Sequence, residues 1–179
     1  MNEASDEAII QILVNSSLPE YNRLCRTSKK MNNFCNNSDI SERIFEEKSR
    51  NELSPDILSV KPRTLKWQKF YRNALMCKNT TELYELHNYI IHSLALNKDL
   101  EAIQLIYDIV KRDPVKTQAV FDMSLFNRAV VENLSTLAIW MIKTFHFVPS
   151  IDDLYDGNII KYCIRHNIFT PNELQQFED

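Results

Sequence analysis

The amino-acid sequence predicts an all-helical protein, and three observations carry this prediction. Gly157 is the only glycine among 179 residues, whereas tight β-hairpins usually depend on glycine. Apolar residues recur at intervals of three and four, which is the period of an amphipathic helix. Seventeen asparagines stand largely between these apolar runs, where asparagine supplies caps and turns. Short helices joined by polar turns are therefore the expected elements.

The composition is that of a folded protein, and it limits the chemistry that the chain can perform. Apolar residues make up 44% and charged residues 25%, as in globular domains. The length suits one ordinary domain or two small ones. A net charge of −3 gives no overall attraction for a polyanion. The shortage of glycine excludes a P-loop, a dinucleotide-binding fingerprint and a nucleophile elbow.

The four cysteines indicate neither a zinc site nor a disulfide framework. No pair of cysteines has C-x-x-C spacing, which argues against a zinc site. The first ten residues lack the basic start and apolar run of a signal peptide, and no apolar stretch is long enough to span a bilayer. We therefore expect a cytoplasmic protein with reduced thiols.

Four short helices are predicted in the first third of the chain, each opened by a polar cap. The first covers residues 7–15, and the second carries Pro19 in its first turn, where a missing N–H costs little. The predicted caps are Asp6, Ser17, Ser28 and Asp39. Each helix is too short to be stable alone, so we expect the four to pack their apolar faces into a compact cluster.

Residues 7–13, EAIIQIL, and residues 18–30, LPEYNRLCRTSKK, resemble the two helical segments of the F-box. The run LCRTSKKMNNFC is most similar to the divergent F-box-like modules of large DNA viruses of eukaryotes. Residues 61–75, KPRTLKWQKFYRNAL, are similar to the tryptophan-bearing helix that often closes such modules. The resemblance implies an F-box-like module over residues 1–76, which docks on the small adaptor subunit of a cullin-RING ubiquitin ligase. The candidate docking residues, apolar and at matching motif positions, are Ile9, Ile12, Leu13, Leu18, Pro19 and Leu24.

The rest of the chain repeats with a period of 34 residues. Each copy carries a small residue four positions after a branched apolar one, and then an Asp or Asn that can turn the chain and cap the next helix. The copies align Ile91, Ala95, Leu96, Asp99 and Leu100 with Leu125, Ala129, Val130, Asn133 and Leu134, and then with Ile159, Cys163, Ile164, Asn167 and Ile168. A fixed period of this length indicates a solenoid of antiparallel helix pairs; the alternative is a bundle without repeats.

These units resemble degenerate ankyrin repeats. Residues 156–167, DGNIIKYCIRHN, are similar to the ankyrin segment that opens a repeat, with Gly157 at the place of its turn glycine. Residues 97–110, NKDLEAIQLIYDIV, resemble the second helix of a repeat. The resemblance implies an ankyrin-like helical stack over residues 80–179.

No catalytic, metal or cofactor motif is present, so we expect a protein that is not an enzyme and binds no cofactor. His87 and His92 are five residues apart, which does not place them on one helix face. A basic cluster adjoins the possible helix-turn-helix of residues 18–35 and would suit DNA phosphates; its members are Arg23, Arg26, Lys29 and Lys30. The negative net charge favours the alternative, a solvated helix face.

The two resemblances together imply an interaction protein that performs no chemistry itself. The first part would dock on the ligase adaptor, and the second would hold a target protein for ubiquitin transfer by raising its effective concentration. The alternative is a non-catalytic helical scaffold, or a host-factor-binding viral protein, that does not dock on a ligase. No membrane partner is expected.

Overall fold

The computed structural model describes residues 5–79 and 82–169. Every regular element in these ranges is helical, which confirms the all-α prediction. The chain divides into two compact units, Met1–Asn79 (unit 1) and Thr80–Asp179 (unit 2). Each unit buries an apolar core of its own.

Unit 1 is a cluster of short helices around one longer helix. In chain order they are α1 (Asp6–Asn15), α2 (Leu18–Leu24), α3 (Lys29–Asn36), α4 (Ser38–Glu52), α5 (Pro55–Ser59) and α6 (Trp67–Asn79). Helix α4 packs against α1, α3 and α6. The rings of Tyr21 and Phe45 meet edge to face with 5.0 Å between centroids, and Phe45 also contacts Tyr71. Such aromatic contacts add to the burial of apolar area in holding the cluster together.

The helix caps in unit 1 are partly as the sequence predicts. Ser17 and Ser28 each accept a hydrogen bond from the third backbone N–H of their helix, as predicted. The other two predictions are wrong, because Ser5 caps α1 in place of Asp6, and Asn37 caps α4 in place of Asp39. In both cases an equally good capping residue stands one or two positions earlier, and it takes the first free N–H groups.

A disulfide joins Cys25, just after α2, to Cys35 in α3. The expectation that all four cysteines carry reduced thiols is therefore wrong for this pair. The two cysteines flank a helix start and are ten residues apart, which gives no C-x-x-C signal. The α2–α3 turn folds back and brings the two side chains together. Cys77 and Cys163 are buried and take no part in this disulfide.

Unit 2 consists of helix pairs joined by tight turns. Its helices are α7 (Leu83–Asn88), which continues as a π-helix over Tyr89–Ala95, then α8 (Leu100–Val110), α9 (Pro114–Val120), α10 (Met123–Val131), α11 (Ser135–Phe145) and α12 (Gly157–Arg165). A short 3₁₀ turn, Ile151–Asp153, lies between α11 and α12. The π-helix packs on α8, α10 packs on α11, and α11 packs on α12.

The same turn follows the π-helix, α10 and α12. Lys98, Asn133 and Asn167 adopt left-handed backbone conformations with φ of 55°, 56° and 52°. In each turn the left-handed residue donates to the carbonyl three positions earlier, and the next residue donates to the carbonyl five positions before it. This is the Schellman pattern of helix termini. Unit 2 therefore contains a structural repeat, although the left-handed residue of its first turn is Lys98 and not the predicted Asp or Asn.

The predicted repeat register is correct between the second and third copies and wrong for the first. Leu125 and Ile159, 34 residues apart, are both fully buried, as the alignment requires. In the first copy the left-handed turn residue is Lys98, 35 residues before Asn133, so the residue equivalent to Leu125 is Ile90 and not the neighbouring Ile91, which is also fully buried. Leu96 and Leu100 of the predicted set are exposed. A π-helical stretch accommodates an extra residue per turn, and the one at Tyr89–Ala95 explains the shift.

Gly157 does not act as a turn glycine. It begins α12, Asp156 caps that helix, and no glycine in the described residues has a positive φ. A Cβ built on Gly157 would meet nothing within 4 Å. Neither conformation nor space therefore requires glycine here, and this part of the ankyrin comparison is wrong.

Candidate partner-binding surface

The six predicted docking residues divide into a buried pair and an accessible set. Ile9 and Leu13 are only 4% and 0% exposed, because they face α4 in the core of unit 1. Ile12, on the opposite side of α1, is 47% exposed. Pro19 is exposed, and Leu18 and Leu24 are half-buried. The accessible docking surface is therefore Ile12, Leu18, Pro19 and Leu24.

A buried lysine fixes the corner between α1 and α2. Lys48, in α4, is fully buried, and its Nζ donates to the carbonyl of Val14 at 2.9 Å and to that of Ser16. It also pairs with Glu52 at 3.2 Å. Carbonyls at the end of a helix have no partner within the helix, so the ammonium group serves as a tertiary cap for α1. The cap sets the direction in which the chain enters α2.

Helix α2 begins with a complete capping box. The Ser17 backbone N–H donates to Glu20 at 2.9 Å, and the Glu20 N–H donates to the Ser17 hydroxyl. The hydrogen bonds from Ser17 lower the pKa of Glu20. Since a capping box satisfies two free N–H groups at once, Leu18 and Pro19 are held in the first turn of a well-formed helix.

Tyr71, in α6, joins the same network from the other side. Its hydroxyl donates to Glu52 at 2.6 Å, and the Lys48 ammonium lies 5.5 Å from the centre of its ring. Burial, and then the neighbouring Glu52 carboxylate, raise the pKa of Tyr71. Lys48, Glu52 and Tyr71 thus connect α4 and α6 to the α1–α2 corner.

Sequence reasoning missed Lys48, although a signal was present. Lys48 follows Ile44 by four positions and Phe45 by three, so it continues the apolar face of α4. A lysine on such a face is usually assumed to extend its charge to solvent. Here the carbonyls of α1 offer acceptors inside the core instead.

The exposed apolar side chains of unit 2 are the candidate target-binding surface. Those more than half exposed are Tyr84, Leu96, Val115, Val131, Val148 and Tyr155. A groove of about 410 Å³ runs beside the start of α11 and is lined in part by Lys98, Trp140 and Lys143. The indole N–H of Trp140 donates to Gln104 at 3.0 Å, which fixes one wall of this groove.

Three histidines of unit 2, His87, His146 and His166, occupy separate structural positions and do not form a cluster. His87 is buried, with Nε2 2.9 Å from the carbonyl oxygen of Val120 and 3.8 Å from Asp122. His146 ends α11 in a left-handed conformation, and the ring of His166 lies against Tyr162. Burial raises the pKa of the Cys163 thiol to about 11.

Within residues 5–79 and 82–169, no group of three or more His, Cys, Asp or Glu side chains could hold a metal ion. No helix in that part of the chain has the length and apolar composition needed to cross a bilayer. No protein-family model, curated protein or solved structure matches this chain.

Proposed function

We propose that this chain is a non-catalytic adaptor whose unit 1 docks on the small adaptor subunit of a cullin-RING ubiquitin ligase. The observation that carries the proposal is the accessible apolar set on α1 and α2, at the motif positions of an F-box, held by the buried cap of Lys48. Apolar side chains on a preorganised corner bind a partner at low entropic cost.

The helix order of unit 1 also supports an F-box-like arrangement. Short helices α1 to α3 precede the longer α4, and the tryptophan of the closing segment, Trp67, begins α6. The backbone N–H of Trp67 donates to Glu42 of α4 at 2.8 Å, and the guanidinium of Arg50, also in α4, lies 5.9 Å from the centre of the Trp67 ring. The closing helix is thereby tied to the module that it would complete.

Unit 2 would hold the target through an ankyrin-like stack. Its repeated turns at Asn133 and Asn167 and its paired helices give the quasi-regular surface that such stacks use for binding. The role in ubiquitin transfer would be proximity, because a tethered target meets the ligase machinery at a raised effective concentration. No residue of the chain takes part in chemistry under this proposal.

The test is calorimetric binding of the full chain to purified eukaryotic ligase adaptor subunits, with Ile12→Asp as the disrupting variant. A charge placed in an apolar interface costs several kcal/mol, so binding should weaken by about a hundredfold or more. The matched control is Ile164→Asp, since Ile164 is also a helical isoleucine near a helix C-terminus and is 44% exposed. Its binding should stay within about twofold of wild type.

The opposite results are equally informative. If adaptors from several hosts give no heat of binding, the ligase proposal is refuted. It is also refuted if Ile12→Asp and Ile164→Asp lose adaptor binding equally. The second candidate function, a helical scaffold without ligase docking, is favoured by the burial of Ile9 and Leu13, which are two of the three predicted docking residues on α1. Under that alternative the wild type and both variants all fail to bind the adaptor.

A further inference from the structure

A polar cleft of about 230 Å³ opens on unit 1 between α2, α3 and the first turns of α6. Its walls include two arginines, Arg26 and Arg72, and two amides, Asn22 and Gln68. No acidic side chain lines it. The cleft is distinct from the accessible docking surface, none of whose members lines it.

Both arginines are available to a ligand. Arg26 and Arg72 are exposed, and no carboxylate oxygen of the described residues lies within 4.0 Å of either guanidinium. Arg43, by contrast, is paired with Glu7 and Glu47. Two guanidinium groups around one opening, without a counter-charge, form a site for an anion.

The cleft is built on fixed elements. The Cys25–Cys35 disulfide joins the helices on its two sides. Asn32 donates to the carbonyl of Cys25 at 3.3 Å, and Asn36 donates to Asn32 at 2.7 Å. The Tyr21 ring, 2% exposed, contributes to the lining and is packed on Phe45. A preorganised frame spends little free energy on ordering when a ligand binds.

We propose that this cleft binds a phosphate monoester carried on a side chain of a partner protein. A phosphorylated side chain has nearly two negative charges and three acceptor oxygens, which match two guanidinium forks and the neighbouring amides. The cleft is larger than a phosphate group alone, so it has room for part of the carrier. A phosphodiester backbone fits less well, because the net charge of −3 repels an extended polyanion.

The test is an NMR titration of the ¹⁵N-labelled full chain, followed through the arginine Nε–Hε signals of Arg26 and Arg72. The probes are a short phosphoserine peptide, its unphosphorylated counterpart, inorganic phosphate and acetate. The phosphopeptide should shift both signals and bind more tightly than inorganic phosphate, while the unphosphorylated peptide and acetate should not saturate the site. Tighter binding of inorganic phosphate than of the peptide would overturn the monoester assignment.

The variants locate the site. Arg26→Gln and Arg72→Gln should each weaken phosphopeptide binding about tenfold, the loss of one charged hydrogen-bonded contact. Arg26→Lys keeps the charge but loses the planar guanidinium fork, so its affinity for the phosphopeptide should lie between those of the wild type and Arg26→Gln. Arg165→Gln, an equal change of charge at an exposed arginine of α12, should leave binding unchanged.

Two further results would overturn the proposal. The first is equal weakening in all three Gln variants, which would indicate only the loss of overall positive charge. The second is binding of a double-stranded oligonucleotide that is tighter than phosphopeptide binding and is lost in the Arg26 and Arg72 variants. That result would assign the cleft to nucleic acid.

Discussion

Replacing Lys48 with methionine should destabilise unit 1 more than any exposed lysine substitution does. Methionine fills a similar volume but cannot donate, so the carbonyls of Val14 and Ser16 lose their partner inside the core. Each buried carbonyl left without a donor costs about 1–3 kcal/mol. Glu52 is 38% exposed, so water can solvate it, and the loss of its ion pair adds less than about 1 kcal/mol.

The expected loss in the free energy of unfolding is about 2–4 kcal/mol. It is smaller than the sum of the separate terms, because the variant no longer has to desolvate an ammonium group. Lys66→Met is the matched control, since Lys66 is exposed and precedes α6. Its effect should fall within about 0.5 kcal/mol of zero, as for most surface substitutions.

Urea unfolding followed by tryptophan fluorescence measures the effect separately in the two units. Trp67 lies in unit 1 and Trp140 in unit 2, and the chain has two tryptophans in all. In a Trp140→Phe background the signal reports unit 1 alone. If Lys48→Met and Lys66→Met unfold at the same urea concentration, the buried ammonium does not support the corner, and the reasoning behind the docking surface fails.

Three further predictions concern the turns and caps. Gly157→Ala should stabilise unit 2 by up to about 1 kcal/mol, measured by urea unfolding through Trp140; a clear loss of stability would show that glycine is required. Reducing the disulfide, which closes a ten-residue separation, should destabilise unit 1 by about 2–3 kcal/mol, and an unchanged transition in dithiothreitol would contradict this. Glu20 has a pKa lowered from 4.5, so its stabilising effect is present above that value and lost as the pH falls through the lowered pKa. Glu20→Gln should therefore flatten the acid limb of the stability curve, and an unaltered limb would refute the assignment.

Local signals in the sequence identified two of the four caps predicted in unit 1 and missed the other two. Ser17 caps α2 as predicted, although Asn15 and Ser16 stand directly before it and could also cap a helix. Asp39 is preceded by Asn37, whose side chain accepts from two backbone N–H groups and starts α4 earlier. The choice between neighbouring caps depends on how the chain enters the helix, which is set by packing.

The repeat register shows a limit of a different kind. The alignment relied on Asp or Asn at the turn, because these residues tolerate a left-handed conformation better than others do. In the first copy Lys98 takes that conformation, and Asp99 follows as the cap of α8. A π-helical stretch has no composition that distinguishes it from an α-helix. The extra position is revealed by the left-handed turn at Lys98, which lies 35 residues before the turn at Asn133.

Contacts between distant residues were the least predictable part of the candidate site. Lys48 reaches carbonyls more than thirty positions earlier, and Arg72 approaches the disulfide cleft from a helix that sequence reasoning linked only to the closing tryptophan. The position of Lys48 on the apolar face of α4 does not show which acceptors its ammonium group meets, and a cleft between three helices has no sequence motif. Both depend on how helices cross, which the periodicity of one helix does not specify.

Helical geometry does identify which docking residue can decide the proposal. Successive residues turn by about 100° around a helix, so Ile12 lies about 130° from the middle of the face formed by Ile9, Ile10, Leu13 and Val14. That face is buried in the structure, and Ile12 is not. Substitutions at Ile9 or Leu13 would disrupt the packing of the core. They would therefore reduce binding by destabilising unit 1 and not by removing a contact with the partner. A change at Ile12 leaves the core intact, so a loss of adaptor binding there can only come from the surface that α1 presents to a partner.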